Sequence, residues 1–305
     1  MFEKFIAAFI GAKLGKLAEF EPLSKHTTLR VGGPARIFVQ PVDKTALGKI
    51  ITLANDLKIL YKILGKGSNL LVSDEVFEGV VIQMDKTLTH CKMEGTKVRV
   101  GAGVSDVLLA RSMAKAGFSG LEFLSGVPGT IGGAVFMNAG AYNKEVSDII
   151  VGVEILDEYQ QLRWLEKEEL ELSYRSSIFQ RRTDWVIVEV LLQLEVGSPA
   201  EIMETMNNRK EKRKASQPLE FPSAGSAFRN PEGHFAWELI SAAGLRGYQV
   251  GGAGVSTKHT NFVINLGGAT ANDVATVITH VKETIKARNG LEMHQEVEFF
   301  NWSTK

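Results

Sequence analysis

Folding of this chain is restricted most by the stretch GVPGTIGGAVFMNAGAY, residues 126–142. It holds five glycines among small residues, with Thr130 and Asn138 as its polar positions. Glycine loses more conformational entropy on folding than any other residue, and ordered loops of this length without secondary structure are uncommon. A large bound ligand would offset that loss, so the stretch predicts a cofactor cradle.

Two further glycine-rich segments compete for the same role. The segment GKGSNLLVSD, residues 65–74, adds the short polar side chains of Ser68 and Asn69, and backbone N–H groups in such a turn bind a diphosphate without basic residues. The segment GAGVSDVLLA, residues 101–110, follows a predicted strand, but Asp106 stands where a Rossmann turn has its third glycine. No segment reads G-x-x-x-x-G-K-S/T, which excludes a P-loop nucleoside triphosphatase.

Charge balance and cysteine content narrow the class of protein. The 305 residues include 35 Lys and Arg and 35 Asp and Glu, so no overall charge attracts nucleic acid or an anionic membrane, and small-molecule partners are favoured. Cys91 is the single cysteine, which excludes an intramolecular disulfide, fits a reducing compartment and predicts an inert thiol. The six histidines lack metal-ligand spacing, so no metal is expected.

The N-terminus predicts a packed amphipathic helix and not a signal peptide. Its apolar run is short and charge recurs within it. Apolar residues recur at helical spacing at Phe2, Phe5, Ile6, Phe9, Ile10 and Leu17. No stretch approaches the ~20 apolar residues that span a bilayer. We therefore expect a soluble, cytoplasmic protein, with no obligate protein partner evident.

Hydrophobic periodicity predicts two α/β or α+β units before residue 198. The first has strands at 35–40, 61–65 and 79–84 and a helix at 47–57. The second is mostly β, with a helix at 106–116 and long strands at 149–156 and 185–196.

The C-terminal part is predicted to contain two long helices. The first starts near Ser198 and ends in basic residues between 209 and 214, which suit either the helix dipole or substrate phosphates. The second opens on a capping box of Thr270 and Asp273 and ends at Asn289 and Gly290. The run EVEFF then predicts a final strand with Glu296 at its start.

A serine among small residues is the other candidate for chemistry. Ser226 lies in PSAGSAFRNP, residues 222–231, where it could be a nucleophile, a phosphate ligand, a proton donor or part of a tight turn. The nucleophile is disfavoured because the segment lacks the G-x-S-x-G elbow and no Asp or His partner is placed by a motif.

Taken together, these segments resemble the UDP-N-acetylenolpyruvoylglucosamine reductase family. The resemblance also includes TTLRVGGPA at 27–35, YRSSIF at 174–179 and HQEVEFF at 294–300, and it covers nearly the whole chain in family order. It implies an α+β fold, with a two-part FAD-binding domain of the vanillyl-alcohol-oxidase (PCMH) type and a C-terminal α+β substrate-binding domain. The expected boundaries are 1–85, with or without the strand near 296–305, then 86–197 and 198–295.

The resemblance further implies an activity. NADPH would reduce FAD, and an enolpyruvyl ether of UDP-N-acetylglucosamine would then be reduced to UDP-N-acetylmuramate for peptidoglycan synthesis. Arg175 and Glu296 match the family's catalytic arginine and glutamate, and Ser226 matches its proton donor. Residues 239–265 run through without an insertion, so the chain resembles the shorter subclass without a tyrosine-bearing capping loop. Another FAD-dependent oxidase of this fold and a non-enzymatic nucleotide-binding module remain rival classes.

The resemblance also supplies expected binding residues. Those expected to hold FAD are Arg30, Val31, Gly32, Gly33, Gly65, Gly67, Ser68, Asn69, Gly126, Val127, Pro128, Thr130, Ile131, Gly132, Gly133, Asn138 and Gly140. Those expected to contact the substrate are Tyr174, Lys214, Arg229, Asn230, Lys258 and His259.

Overall fold

The computed structural model describes residues 1–302, which form two compact units that interleave along the chain. The first unit comprises Met1–Glu19, Ile37–Lys66 and Gly79–Glu211. The second comprises Phe20–Arg36, Gly67–Glu78 and the residues from Lys212 onward. The sequence predicts three domains that follow one another along the chain. That division stays a proposal.

The described chain contains both helices and strands, which are numbered in chain order. The helices are α1 Phe2–Gly11, α2 Lys44–Asp56, α3 Asp106–Lys115, α4 Ile131–Phe136, α5 Pro199–Ser216, α6 Ala236–Ala242 and α7 Ala271–Asn289. The strands are β1 Gly15–Pro22, β2 Pro34–Pro41, β3 Tyr61–Leu64, β4 Leu70–Val72, β5 Phe77–Gln83, β6 Cys91–Glu94, β7 Lys97–Gly101, β8 Phe118–Ser119, β9 Gly140–Ala141, β10 Lys144–Glu145, β11 Ile150–Leu156, β12 Leu162–Glu166, β13 Val186–Gln193, β14 Glu195–Val196, β15 Ser223–Ser226, β16 Gln249–Val250, β17 Ala253–Val255, β18 Phe262–Asn265 and β19 Glu298–Phe300.

The largest sheet belongs to the first unit and is antiparallel throughout, in the order β12-β11-β13-β7-β6. A second sheet has the order β1-β2-β5-β3, with β3 and β5 parallel. Helix α2 begins where Asp43 accepts a 2.7 Å hydrogen bond from the Ala46 N–H, and it buries Leu47, Ile50 and Ile51 in the core of this unit. None of the helices within residues 1–302 is long and apolar enough to cross a membrane.

The N-terminal helix is shorter than its apolar pattern predicts. Helix α1 ends before Ala12, and Lys13 takes a positive φ of 52° that stops the helical path. Leu17 therefore lies in β1, and its place in the helical stripe was wrong. Phe5 and Phe9 do form the buried face of α1, with their ring centroids 6.1 Å apart.

The second unit is built on a four-stranded sheet in the order β15-β18-β17-β16, packed with α7. The capping box of α7 is confirmed: Thr270 Oγ1 accepts from the Asp273 N–H at 3.0 Å, and the Asp273 carboxylate accepts from the Thr270 N–H at 3.0 Å. The helix ends at Gly290 in the left-handed conformation, as expected. Strand β19 pairs in parallel with β4, and it starts at Glu298, so Glu296 precedes the strand instead of opening it.

Candidate active site

The glycine-rich segment of the first unit is partly helical, which the sequence did not predict. Thr130 caps α4, with its Oγ1 accepting from the Gly133 N–H at 3.4 Å, after a loop that contains Gly126, Val127 and Pro128. The Ile131 and Gly132 N–H groups donate to Val104 O and Ala102 O, each at 2.9 Å. A Cβ on Gly132 would lie 2.8 Å from the Ala102 Cβ, whereas a Cβ on Gly133 would meet only Thr130 Oγ1, at 3.5 Å. The chain's own packing therefore requires Gly132 but leaves space beside Gly133.

The turn after β3 offers free backbone donors. The N–H groups of Gly65 and Lys66, in the first unit, have no hydrogen-bond partner among residues 1–302. Successive N–H groups of this kind form a concavity that binds anions. Together with the open space beside Gly133, these donors of the first unit fit the diphosphate of FAD, which they would help to hold.

The segment 27–35 lies in the second unit, and packing within the protein explains its two glycines. A Cβ on Gly32 would lie 2.8 Å from the Val72 Cβ, and one on Gly33 would collide with Asp74 O. Arg30 has a φ of 57°, and Val31 is buried in the core of this unit. The packing accounts for both glycines without a ligand, so their cofactor role stays a prediction.

In the first unit, Asn138 and Arg175 are coupled through backbone groups. Asn138 is fully buried; its Nδ2 donates to Ser173 O at 3.0 Å and its Oδ1 accepts from the Ser147 N–H at 3.0 Å. The Asn138 side chain thus holds the turn that carries Arg175. Because both ends of its amide are used in this way, the predicted contact of Asn138 with the cofactor could be made only by its backbone. Arg175 has a left-handed φ of 55°, and its Nη2 donates to Gly140 O at 2.9 Å.

The guanidinium of Arg175 is held on a second side as well. Its Cζ lies 4.9 Å from the ring centroid of Tyr174, which is 48% exposed. A left-handed arginine costs energy that the surrounding structure must supply, and such strain clusters at functional sites. The exposed ring and the fixed guanidinium together form a surface that suits a carboxylate.

In the second unit, Gly225 sets the direction of Ser226. Gly225 has a φ of 78°, which glycine adopts without steric cost, and it lies in the irregularity between the Ser223–Ile264 and Ser226–Phe262 pairs. Ser226 is half-buried, and its hydroxyl has no hydrogen-bond partner within the described chain. The hydroxyl is therefore available to a bound molecule.

The two C-terminal motifs meet in the second unit. The Glu296 N–H donates to Ala227 O at 2.8 Å, the Arg229 N–H donates to His294 O at 2.9 Å, and Phe228 forms an antiparallel bridge with Gln295. Glu296 is thereby attached to the residue that follows Ser226. Asn69 holds the same residue, because its Nδ2 donates to Glu296 O at 3.0 Å.

The remaining expected substrate residues also lie in the second unit, apart from Tyr174. Lys258 Nζ donates to Lys214 O at 2.6 Å, which brings these two exposed residues together. Asn230 Oδ1 accepts from the Ala236 N–H at 3.0 Å and so caps α6, a structural role that the sequence did not predict. Burial lowers the pKa of His259, and its Nδ1 has no partner in the described residues.

A cluster that sequence reasoning missed lies at the start of α3. Lys66 Nζ donates to Ser105 Oγ at 2.6 Å. Asp106 is 1% exposed, and neither of its carboxyl oxygens has a hydrogen-bond partner within residues 1–302. Burial raises the pKa of Asp106 to about 8, against the opposing field of Lys66. No pattern in the sequence distinguishes this buried acid from an ordinary first-turn aspartate.

Comparison with known proteins gives consistent results over both units. A family model for an "FAD binding domain" matches residues 35–165, and one for the "UDP-N-acetylenolpyruvoylglucosamine reductase, C-terminal domain" matches residues 217–300. These matches confirm the expected α+β fold, with an FAD-binding domain of the two-part type and a C-terminal domain. They also confirm FAD as the cofactor.

Curated and solved relatives match almost end to end. The UDP-N-acetylenolpyruvoylglucosamine reductase of Bacillus subtilis is 45% identical over 97% of this chain and 98% of its own, and reductase 1 of Bacillus cereus is 43% identical over the same shares. The crystal structure of UDP-N-acetylenolpyruvylglucosamine reductase from Thermus caldophilus has a TM-score of 0.79 at 35% identity and covers 94% of this chain and 98% of that one. An FAD-dependent oxidoreductase, this chain belongs to the UDP-N-acetylenolpyruvoylglucosamine reductase family.

Proposed function

We propose that the chain uses NADPH, through FAD, to reduce UDP-N-acetyl-enolpyruvylglucosamine to UDP-N-acetylmuramate, a step of peptidoglycan precursor synthesis in the cytoplasm. The observation that supports this most is the 2.8 Å hydrogen bond from the Glu296 N–H to Ala227 O. It attaches an acidic residue to the strand that carries a free serine hydroxyl, although the two motifs lie far apart in the sequence.

The reaction needs charge stabilisation before it needs a proton. A hydride adds to the vinyl carbon of an unsaturated carboxylate, and the electron pair of the C=C bond moves towards the carboxylate to give a dianionic enolate. Arg175 pairs with that carboxylate, since a planar guanidinium presents two donors in the geometry of the two oxygens. We assign to Glu296 the role of hydrogen-bond donor to the same developing charge.

When bound, FAD would supply the hydride, with NADPH as its reductant. Ser226 then completes the product, because its Oγ–H transfers the proton to the enolate carbon and forms the second new C–H bond. The resulting alkoxide regains a proton from solvent, so the net change is NADPH and one proton consumed per double bond reduced. The absence of an intramolecular partner for the hydroxyl within residues 1–302 supports this role.

The uridine diphosphate of the substrate needs positive charge, and the second unit offers it. Lys214 and Lys258 adjoin through the 2.6 Å hydrogen bond from Lys258 Nζ to Lys214 O. This bond places the Lys258 ammonium at the backbone of Lys214, and lysine ammonium groups suit a diphosphate, which carries at least two negative charges. We assign both lysines to the substrate diphosphate.

An anaerobic experiment tests the proposal. Purified protein is reduced with NADPH, mixed with the enolpyruvyl substrate and followed by flavin absorbance, while product mass is measured on the same sample. We expect flavin to be reoxidised only when the substrate is present and the product to be two mass units heavier, since two hydrogens are added. Steady NADPH oxidation with oxygen alone would instead favour an oxidase, and a protein that binds no FAD would contradict the proposal.

A further inference from the structure

One lysine of the first unit, Lys66, connects the turn after β3 with the residues that precede α3 and α4. Lys66 is half-buried in the turn after β3, and its Nζ donates a 2.6 Å hydrogen bond to Ser105 Oγ. Ser105 forms an isolated antiparallel bridge with Thr130, and a Cβ on Gly65 would lie 2.6 Å from Thr130 Oγ1. The ammonium of Lys66 is therefore held where the turn meets the residue that caps α4.

A buried carboxyl group, that of Asp106, interacts electrostatically with Lys66 but does not compensate its positive charge at neutral pH. Asp106 is 1% exposed and its oxygens have no hydrogen-bond partner in the part of the chain described. Removal from water disfavours the ionised form, and its pKa is raised to about 8, so the group is mostly protonated at neutral pH. A protonated Asp106 does not neutralise the Lys66 ammonium.

Lys66 also shares its turn with free backbone donors of the first unit. The N–H groups of Gly65 and Lys66 have no partner among residues 1–302, and such donors beside an ammonium make a strong site for an anion. We propose that Lys66 is a further cofactor-binding residue, with its ammonium, positioned by Ser105, in contact with the diphosphate of FAD. The proposal rests on FAD binding by the chain and adds a charged ligand to a turn that otherwise binds through its backbone alone.

Titration of the FAD-depleted protein with flavins tests this directly. Lys66→Met removes the charge and keeps the length of the stem, and we expect it to weaken FAD binding by roughly 10-fold to 100-fold, as for the loss of one charged hydrogen bond. Riboflavin lacks phosphate, so its dissociation constant should be the same for both proteins. Lys49→Met, at an exposed lysine of α2, is the matched control and should bind FAD as the wild type does.

The pH dependence of FAD binding gives a second readout. As pH rises through about 8, Asp106 ionises, and its negative charge attracts Lys66 and repels the diphosphate. Among the described residues, Lys66 is the one charged group that acts on the Asp106 pKa. The dissociation constant of the wild type should therefore increase from about pH 7 to about pH 9, and that of Asp106→Asn should stay flat over this range.

The outcomes separate the inference from the function on which it rests. A wild-type protein that binds no FAD would contradict the proposed function. If the wild type binds FAD and Lys66→Met binds it equally well, the ammonium does not contact the diphosphate. If Lys66→Met weakens riboflavin binding as much as FAD binding, the lysine supports the fold of the turn, and the proposal is equally wrong. Should Lys66→Met fail to fold, the pH profiles of the wild type and Asp106→Asn decide.

Discussion

The segment 126–140 and the segment 222–231 are both rich in small residues, but they use their polar groups in opposite ways. In the first, Thr130 caps α4 and Asn138 is fully buried with both ends of its amide hydrogen-bonded. In the second, the Ser226 hydroxyl has no partner within the described chain. The polar side chains of the first segment are hydrogen-bonded within the protein, whereas the second segment leaves a hydroxyl for a bound molecule.

The glycines of the two segments differ in the same sense. Gly132 is required because a Cβ would lie 2.8 Å from the Ala102 Cβ. Gly225 is required by its φ of 78°, while the space around its missing Cβ is empty to 4 Å. The contrast indicates that the first segment is a rigid cradle, whereas the second is a bent strand that aims one side chain.

The largest loss of turnover is expected at Ser226, whose hydroxyl has no partner within the described chain. Ser226→Ala should lower turnover by roughly 10² to 10⁴, the usual contribution of a positioned general acid. Reduction of flavin by NADPH needs no such proton and should keep its wild-type rate. Stopped-flow measurement of each half-reaction separates the two steps.

Ser223→Ala is the matched control for this variant, because Ser223 lies in the same strand and its side chain makes no hydrogen bond within the described residues. It should keep wild-type turnover. Ser226→Cys should recover part of the loss, since a thiol is more acidic than a hydroxyl. If Ser226→Ala slows both half-reactions equally, the serine is structural and the two segments do not differ as described.

The next largest effect is expected at Arg175, whose guanidinium is hydrogen-bonded to the segment 126–140. Arg175→Lys should slow flavin reoxidation by the enolpyruvyl substrate about 10²-fold to 10³-fold, because lysine keeps the charge but loses the planar fork. One N–H of Arg175 already binds Gly140 O, so a single ammonium cannot replace both contacts. Arg181→Lys, an exposed arginine paired with Glu171, is the control and should react normally. Near wild-type turnover of Arg175→Lys at saturating substrate would assign Arg175 to the fold.

Substitutions at Gly132 and Gly133 distinguish a glycine that the protein's packing requires from one that leaves space for the cofactor. Gly133→Val should leave the thermal stability of the FAD-free protein within about 1 kcal/mol of wild type, yet weaken FAD binding at least about 10-fold by filling the open space. Gly132→Val should instead destabilise the protein itself by roughly 1 to 3 kcal/mol through overpacking. Calorimetry and flavin titration measure the two effects. Unchanged FAD affinity in Gly133→Val would place the cradle elsewhere.

The smallest effect is expected at the bent strand. Gly225→Ala forces a side chain into the left-handed region and should cost about 1 kcal/mol of stability. Gly233→Ala is matched, since Gly233 has a φ of 71° and the same empty surroundings. Both variants should lose similar stability, but only Gly225→Ala should lose turnover, by less than about tenfold, because it re-aims Ser226. Equal turnover in the two variants would show that the bend does not direct the serine.

Most regular elements could be predicted because their signals are local. The capping box at Thr270 and the apolar face of α2 each depend on residues within one or two turns. Where prediction failed, the deciding contact was distant in the sequence. Helix α4 forms in a glycine-rich stretch because the Ile131 and Gly132 N–H groups find carbonyls near residues 102–104.

The candidate site shows the same limit. Family resemblance supplied Arg175, Ser226 and Glu296, but it did not reveal that the Asn138 and Asn230 side chains serve the chain itself. An asparagine looks the same in sequence whether its amide binds a ligand or a carbonyl. Lys66 was passed over because a backbone-only anion turn needs no lysine, and only its 2.6 Å contact with Ser105 gives it a fixed position.

The pairing of β19 with β4 makes the order of synthesis matter for this protein. Asn69 and Glu296 are 227 positions apart, yet the Asn69 side chain and β4 both depend on the strand around Glu296 for their hydrogen bonds. At roughly 5 to 20 residues per second, a ribosome needs on the order of 10 to 45 s to make the intervening chain. For that time β4 is a strand without its neighbour, the kind of edge that recruits other chains. We therefore expect a nascent chain of this protein to be exposed to aggregation until β19 emerges.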